Sequence, residues 1–110
     1  MILIVGERRS EKAKRLGLRW EDGGLAAKPL FEALRAAGID PGAVTFVNWF
    51  EGGKTRARRW RGTRIALGTK VQRAMTAEGL SFIPLIHPAA RGAIRLRSRY
   101  VEHVRERLRG

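Results

Sequence analysis

At 110 residues with 44% hydrophobic side chains, the chain can pack one domain around a core and is too short for two of ordinary size. Its 23 Lys and Arg against 10 Asp and Glu leave a formal net charge of +13, an excess that ion-pair networks do not explain because they need both signs. The absence of cysteine excludes disulfides, thiolate nucleophiles and iron–sulfur clusters, and 2 His do not make a usual zinc site without carboxylate help. Such a charge calls for a polyanion, with nucleic acid ahead of its main competitor, an anionic membrane surface. An Arg-rich thermophile surface with few amide residues accounts for the composition but not for the sign of the charge.

Ile2 to Val5 is a short apolar run ending at Gly6, as expected of a strand covered on both faces of a parallel sheet. It is too short for a signal-peptide core or a membrane span, so the expectation is a cytoplasmic protein. Residues 8 to 24 carry Arg8, Arg9, Lys12, Lys14, Arg15 and Arg19 before Trp20 and Gly23-Gly24, which reads as a basic loop with room for one helical turn. Leu25, Leu30, Ala33, Leu34 and Ala37 then share one face at helical spacing, with Pro29 in the first turns and Gly38 at the expected stop. Val44, Phe46 and Val47 make a second strand stopping at Asn48. Gly52-Gly53 opens a second basic loop with Lys54, Arg56, Arg58, Arg59, Arg61 and Arg64 around Trp60. Ile65 to Leu67 is a third strand, followed by a helix with Thr69 as N-cap, Val71, Ala74 and Met75 facing inward and Gly79 at its end. Leu80 to Ile86 is a fourth strand despite Pro84, with His87 at its carboxyl end. Tyr100, Val101, Val104 and Leu108 give a last, Arg-rich helix one apolar stripe, on which His103 reads as a surface residue.

Alternating strands and helices predict an α/β fold, a three-layer αβα arrangement with a four-stranded, mostly parallel sheet. Sites in such sheets lie beyond the carboxyl ends of the strands, which here supply Glu7, Asn48, Gly68 and His87. Three basic clusters follow three of these strands and are expected to share that rim. Gly53-Lys54-Thr55 has the ending of a phosphate-binding loop, but Asn48 stands where its first glycine belongs and a run of Arg follows in place of an apolar helix.

Nearly the whole chain resembles the uracil-DNA glycosylase superfamily, above all its thermostable branch. The resemblance lies in Ile2-Leu3-Ile4-Val5-Gly6-Glu7, the helix end Phe31 to Ile39, the Val44 to Asn48 strand, Ile65-Ala66-Leu67-Gly68, and Ile86-His87-Pro88-Ala89-Ala90, in that order. Departures are Arg8-Arg9 where the family has Pro-Gly, the missing cluster cysteines, and a short segment between Asn48 and Ile65. The resemblance implies a DNA-binding fold, with hydrolysis of the N-glycosidic bond of uracil or another damaged base and no cofactor or metal. It assigns Glu7 to the attacking water, His87 to the base's O2, Asn48 to the base edge and Trp20 to stacking. The types fit that chemistry. A donor at O2 stabilises the departing base's negative charge, an amide matches uracil N3–H and O4, and a carboxylate stabilises a cationic sugar or orients water.

Each assignment competes with a plainer one: a surface ion pair for Glu7, a turn residue for Asn48, a strand terminus for His87, a core or edge anchor for Trp20, Trp49 or Trp60. Arg91, four residues after His87, either enters the gap left by a flipped base or binds phosphate. Arg8, Arg9, Arg58, Arg59, Arg91 and Arg95 are the expected backbone contacts, giving salt-dependent affinity for single- or double-stranded DNA; RNA presents the same charges. Two functions follow, a minimal glycosylase or a non-catalytic DNA-binding protein on the same fold, with a nucleotide-binding domain as a weaker third. A glycosylase requires Asn48 and His87 to converge on one base beside an aromatic face, whereas a pure binder tolerates an obstructed rim.

Overall fold

The computed structural model describes residues 1–24, 27–89 and 97–108. Four strands, β1 (Ile2–Gly6), β2 (Thr45–Asn48), β3 (Thr63–Leu67) and β4 (Ile83–Leu85), form one sheet in the order β2-β1-β3-β4. All pairings are parallel, with Ile4 opposite Phe46 on one side and Ile65 on the other. The helices are α1 (Glu11–Leu16), α2 (Ala27–Ala36), α3 (Lys54–Arg59), α4 (Thr69–Ala77) and α5 (Arg97–Leu108).

Alternation along the strands divides the core into two layers. Ile4, Phe46, Ile65 and Leu67 meet Leu30 and Leu34 of α2 and Tyr100 and Val104 of α5 on one face. Leu3, Val5 and Ala66 meet Ala57 of α3 and Val71 and Met75 of α4 on the other. Leu30, Ala33 and Leu34 of the stripe read from the sequence are buried, whereas Ala37 lies just past the end of α2 and is half-buried; burying Leu30 and Leu34 fully contributes about 1.5–3 kcal/mol each before entropy. No helix among the described residues is long and apolar enough to cross a membrane.

Several local expectations are corrected. The first basic stretch holds a complete short helix: Ser10 Oγ accepts the Ala13 N–H at 3.1 Å to start α1, and Gly17 in the left-handed region ends it. The stretch expected as a second basic loop contains α3, because parallel neighbours need a crossover and Ala57 lets a helix rest on the sheet while its arginines point outward. Thr69 is the first helical residue of α4, not its cap; Gly68 holds the N-cap position at φ 87°, a conformation that disfavours any side chain. The fourth strand shrinks from 80–86 to Ile83–Leu85, with exposed Pro84 at the sheet edge where its missing N–H costs no ladder bond. Leu25, Arg91 and Arg95 lie outside the described residues.

Connections leaving β1 and β3 go to opposite faces, to α2 and α4, so the chain reverses direction between these adjacent strands. That reversal opens a crevice beyond their carboxyl ends.

Candidate base cleft and nucleic-acid interface

A cleft of about 610 Å³ fills this crevice, lined by Glu7, Arg9, Lys12, Arg19, Trp20 and His87 among others. Its size is that of a small-ligand site. Each wall has a local cause. Gly6 ends β1 without a side chain, and a Cβ there would stand 2.6 Å from Asn48 Oδ1 and 2.9 Å from the Trp20 indole, so glycine is what lets Trp20 lie across the strand ends. Gly68 lies below His87, where an added Cβ would only touch the His87 Cβ at 3.4 Å; its left-handed φ of 87°, not lack of space, is what favours glycine there.

His87 is held as a neutral donor. The Ala89 backbone N–H donates to His87 Nδ1 at 3.0 Å, which requires an unprotonated Nδ1 and leaves the proton on Nε2. Burial pushes its pKa below the ordinary histidine value, and the nearby Glu7 carboxylate only partly offsets this. No described residue takes the Nε2–H. Glu7, about a third exposed, pairs with Lys70 at 3.2 Å and more loosely with Arg8 at 4.0 Å, while its carbonyl accepts the Phe50 N–H at 3.0 Å.

His103 is not a free surface residue. The Ile86 N–H donates to His103 Nε2 at 2.9 Å, and Tyr100 Oη donates to the Ile86 carbonyl at 2.8 Å. The α5 helix thus satisfies both backbone groups of the residue before His87, where β4 has run out of ladder partners. Burial and Arg107 hold the His103 pKa below its usual value, against a smaller opposing effect of Glu106. Burial also raises that of Tyr100.

On the other side of Trp20 the polar groups are already engaged. The Trp20 indole N–H donates to Asn48 Oδ1 at 2.8 Å, and Asn48 Nδ2 donates to Glu51 Oε1 at 3.1 Å. Glu51 also accepts the Arg9 backbone N–H at 2.7 Å and pairs with its guanidinium at 3.5 Å. Burial alone would raise the Glu51 pKa, but the hydrogen bonds and charge of Arg9, with Lys14, bring it below the ordinary carboxylate range. This network borders a second hollow of about 410 Å³, shared by Arg9, Arg19, Trp20, Asn48, Glu51 and Arg56. Trp20 stacks on Phe46 with centroids 6.2 Å apart and meets His87 edge-on at 6.2 Å. Asn48 and His87 therefore both approach Trp20, which stands between them.

The basic clusters separate. Arg8, Arg9 and Arg19 border the cleft, whereas Arg58 is drawn into an ion pair with Glu78 just after α4. Trp60, one residue beyond Arg59, donates to the carbonyl of Met1 at 3.4 Å, and Arg64 reaches the carbonyls of Ala57 and Ser81. Arg58 and Arg59 thus sit toward the amino ends of the strands, opposite the rim. The expectation of one shared rim is corrected by α3, which carries its C-terminal arginines back across the sheet.

The sequence reading overlooked Glu51, Phe50 and the second role of α5. Only the Glu51 carboxylate sitting three residues after Asn48 was visible as a hint. Among the described residues no group of three His, Asp or Glu side chains is placed to hold a metal ion. Compared with protein-family models and with curated protein sequences, the chain matches none of them significantly.

Proposed function

We propose that this protein binds DNA across its Arg-rich rim and hydrolyses the N-glycosidic bond of a damaged base received in the cleft, uracil being the first candidate. The observation that carries the reading is His87, a neutral imidazole with its tautomer fixed by the Ala89 N–H, in a cleft shared with Glu7 and the Trp20 ring. A developing oxyanion on a departing base is stabilised by a donor preorganised where that charge develops, and a removed donor of this kind typically costs about 10²–10³ in rate. Glu7 then stabilises the cationic sugar or orients the water, its carboxylate held by Lys70. Arg8, Arg9 and Arg19 supply phosphate contacts.

A second reading, a non-catalytic DNA-binding protein, is favoured by the Trp20–Asn48 hydrogen bond, which occupies the amide that would read the base. On the first reading Trp20 releases Asn48 when a base enters; on the second it stays. Alkali-induced strand cleavage of single- and double-stranded oligonucleotides carrying one uracil separates them. Cleavage by the native protein, lost in His87→Ala and Asn48→Ala, supports the glycosylase. Salt-sensitive binding with every uracil left in place supports the pure binder.

A further inference from the structure

Beyond the cleft, on the far side of Glu7, Phe50 is one of the few large apolar side chains among the described residues left open to solvent, at 40% exposure. It is not loose. Its N–H is tied to the Glu7 carbonyl, and it sits in the irregular turn Trp49–Gly53, which leaves β2 with its neighbour Trp49 buried. Arg8 lies 5.4 Å and Lys70 5.3 Å from the centroid of the Phe50 ring, and both side chains are half or more exposed. The only described carboxylate paired with either cation is Glu7, so two positive charges share one negative.

Such a patch has two halves, a part-exposed aromatic ring and two exposed cations that lie over it. Cation–π contact alone explains the position of Arg8 and Lys70 but leaves the exposed ring and the surplus charge without use. An unpaired nucleobase that takes the place of a cation on the ring, with its phosphate held by the displaced side chains, uses both. We propose that Phe50, Arg8 and Lys70 form a second nucleotide subsite, which stacks the base next to the one in the cleft and makes the protein prefer single strands. Duplex DNA keeps its bases stacked on one another and has none to offer the ring. The subsite rests on the proposed nucleic-acid binding at the rim and adds to it the strand state of the ligand.

Fluorescence anisotropy with a labelled 12-nucleotide oligothymidylate and a duplex of the same length tests this, using the native protein, Phe50→Ala, Phe50→Trp and Lys70→Ala. Phe50→Ala is expected to weaken single-strand binding about 5- to 150-fold, the span of one lost base–aromatic stack, and to leave duplex binding within about twofold. Phe50→Trp is expected to restore it. Lys70→Ala should instead lower the slope of log affinity against log salt by about one. Melting curves of each variant check that the fold is intact. Native-like single-strand binding by Phe50→Ala, or an equal loss for single strand and duplex, overturns the subsite while rim binding stands. Absence of salt-sensitive binding by the native protein overturns both.

Discussion

On the β4 side of Trp20, His87 has its inner nitrogen satisfied by backbone and its outer N–H directed to no described residue, with Glu7 across the same cleft. On the β2 side, both ends of the Asn48 amide are spent, one on Trp20 and one on Glu51. The first half leaves a donor with no described partner facing the cleft; the second is organised around itself. The difference teaches that residues at equivalent strand ends do not become a site by position alone. What a neighbouring side chain already takes from them decides whether they can act.

The comparison breaks most sharply at His87. Its replacement by Ala is expected to lower the single-turnover rate of base release by 10²–10³ while DNA affinity changes little, since an uncharged donor acts on the transition state and not on the phosphates. Next in size is Gly6→Ala, which forces a methyl group against Asn48 and the indole that Gly6 leaves room for. It is expected to cost about 1–3 kcal/mol by denaturant melts, as overpacking does, and to disturb both halves together.

Trp20→Phe sharpens the contrast by removing the hydrogen bond to Asn48 while leaving an aromatic ring between the two halves. It keeps a ring beside Phe46 and removes the N–H, so it lowers stability by about 1 kcal/mol and frees Asn48 Oδ1. Binding of a uracil-containing single strand, measured by anisotropy, is expected to tighten several-fold if the amide reads bases. An unchanged affinity would assign Asn48 to the scaffold.

The strands and the buried stripe of α2 were legible because an apolar run closed by glycine and a 3.6-residue period are properties of neighbouring residues. The rim positions of Glu7, Asn48 and His87 followed from the strand ends. What stayed hidden depended on partners far along the chain. His103 lies in a polar turn of α5, and nothing in its neighbours shows that it will reach the N–H of Ile86. Arg58 and Arg59 follow a strand that ends at the rim, yet the six residues of α3 carry them to the opposite edge. Phe50 next to Trp49 reads as an apolar pair, and only the turn geometry buries one and exposes the other.

Smaller effects come from pH. His87 and His103 both have folded-state pKa values below the ordinary 6.5. The unfolded chain therefore binds more protons than the folded one between those values and 6.5. Stability is full above about pH 6.5 and falls as the pH drops through the folded values. Thermal melts from pH 8 to pH 5 should show this loss, and His103→Gln, which still offers an acceptor to the Ile86 N–H, should remove part of it. The smallest effect is expected at the far edge. Arg58→Ala leaves affinity for DNA and its salt slope unchanged, because this arginine is turned to Glu78, whereas Arg19→Ala at the cleft lowers the slope by about one.

The most direct test follows the imidazole nitrogens of both histidines by NMR while a uracil-containing single strand is added at pH 7. Free protein should show His87 neutral with the proton on Nε2, and binding should move the His87 Nε2 signal strongly while the His103 signals, from a side chain that serves the backbone, stay in place. A His87 proton on Nδ1, or a His87 signal indifferent to saturating oligonucleotide, would contradict the account.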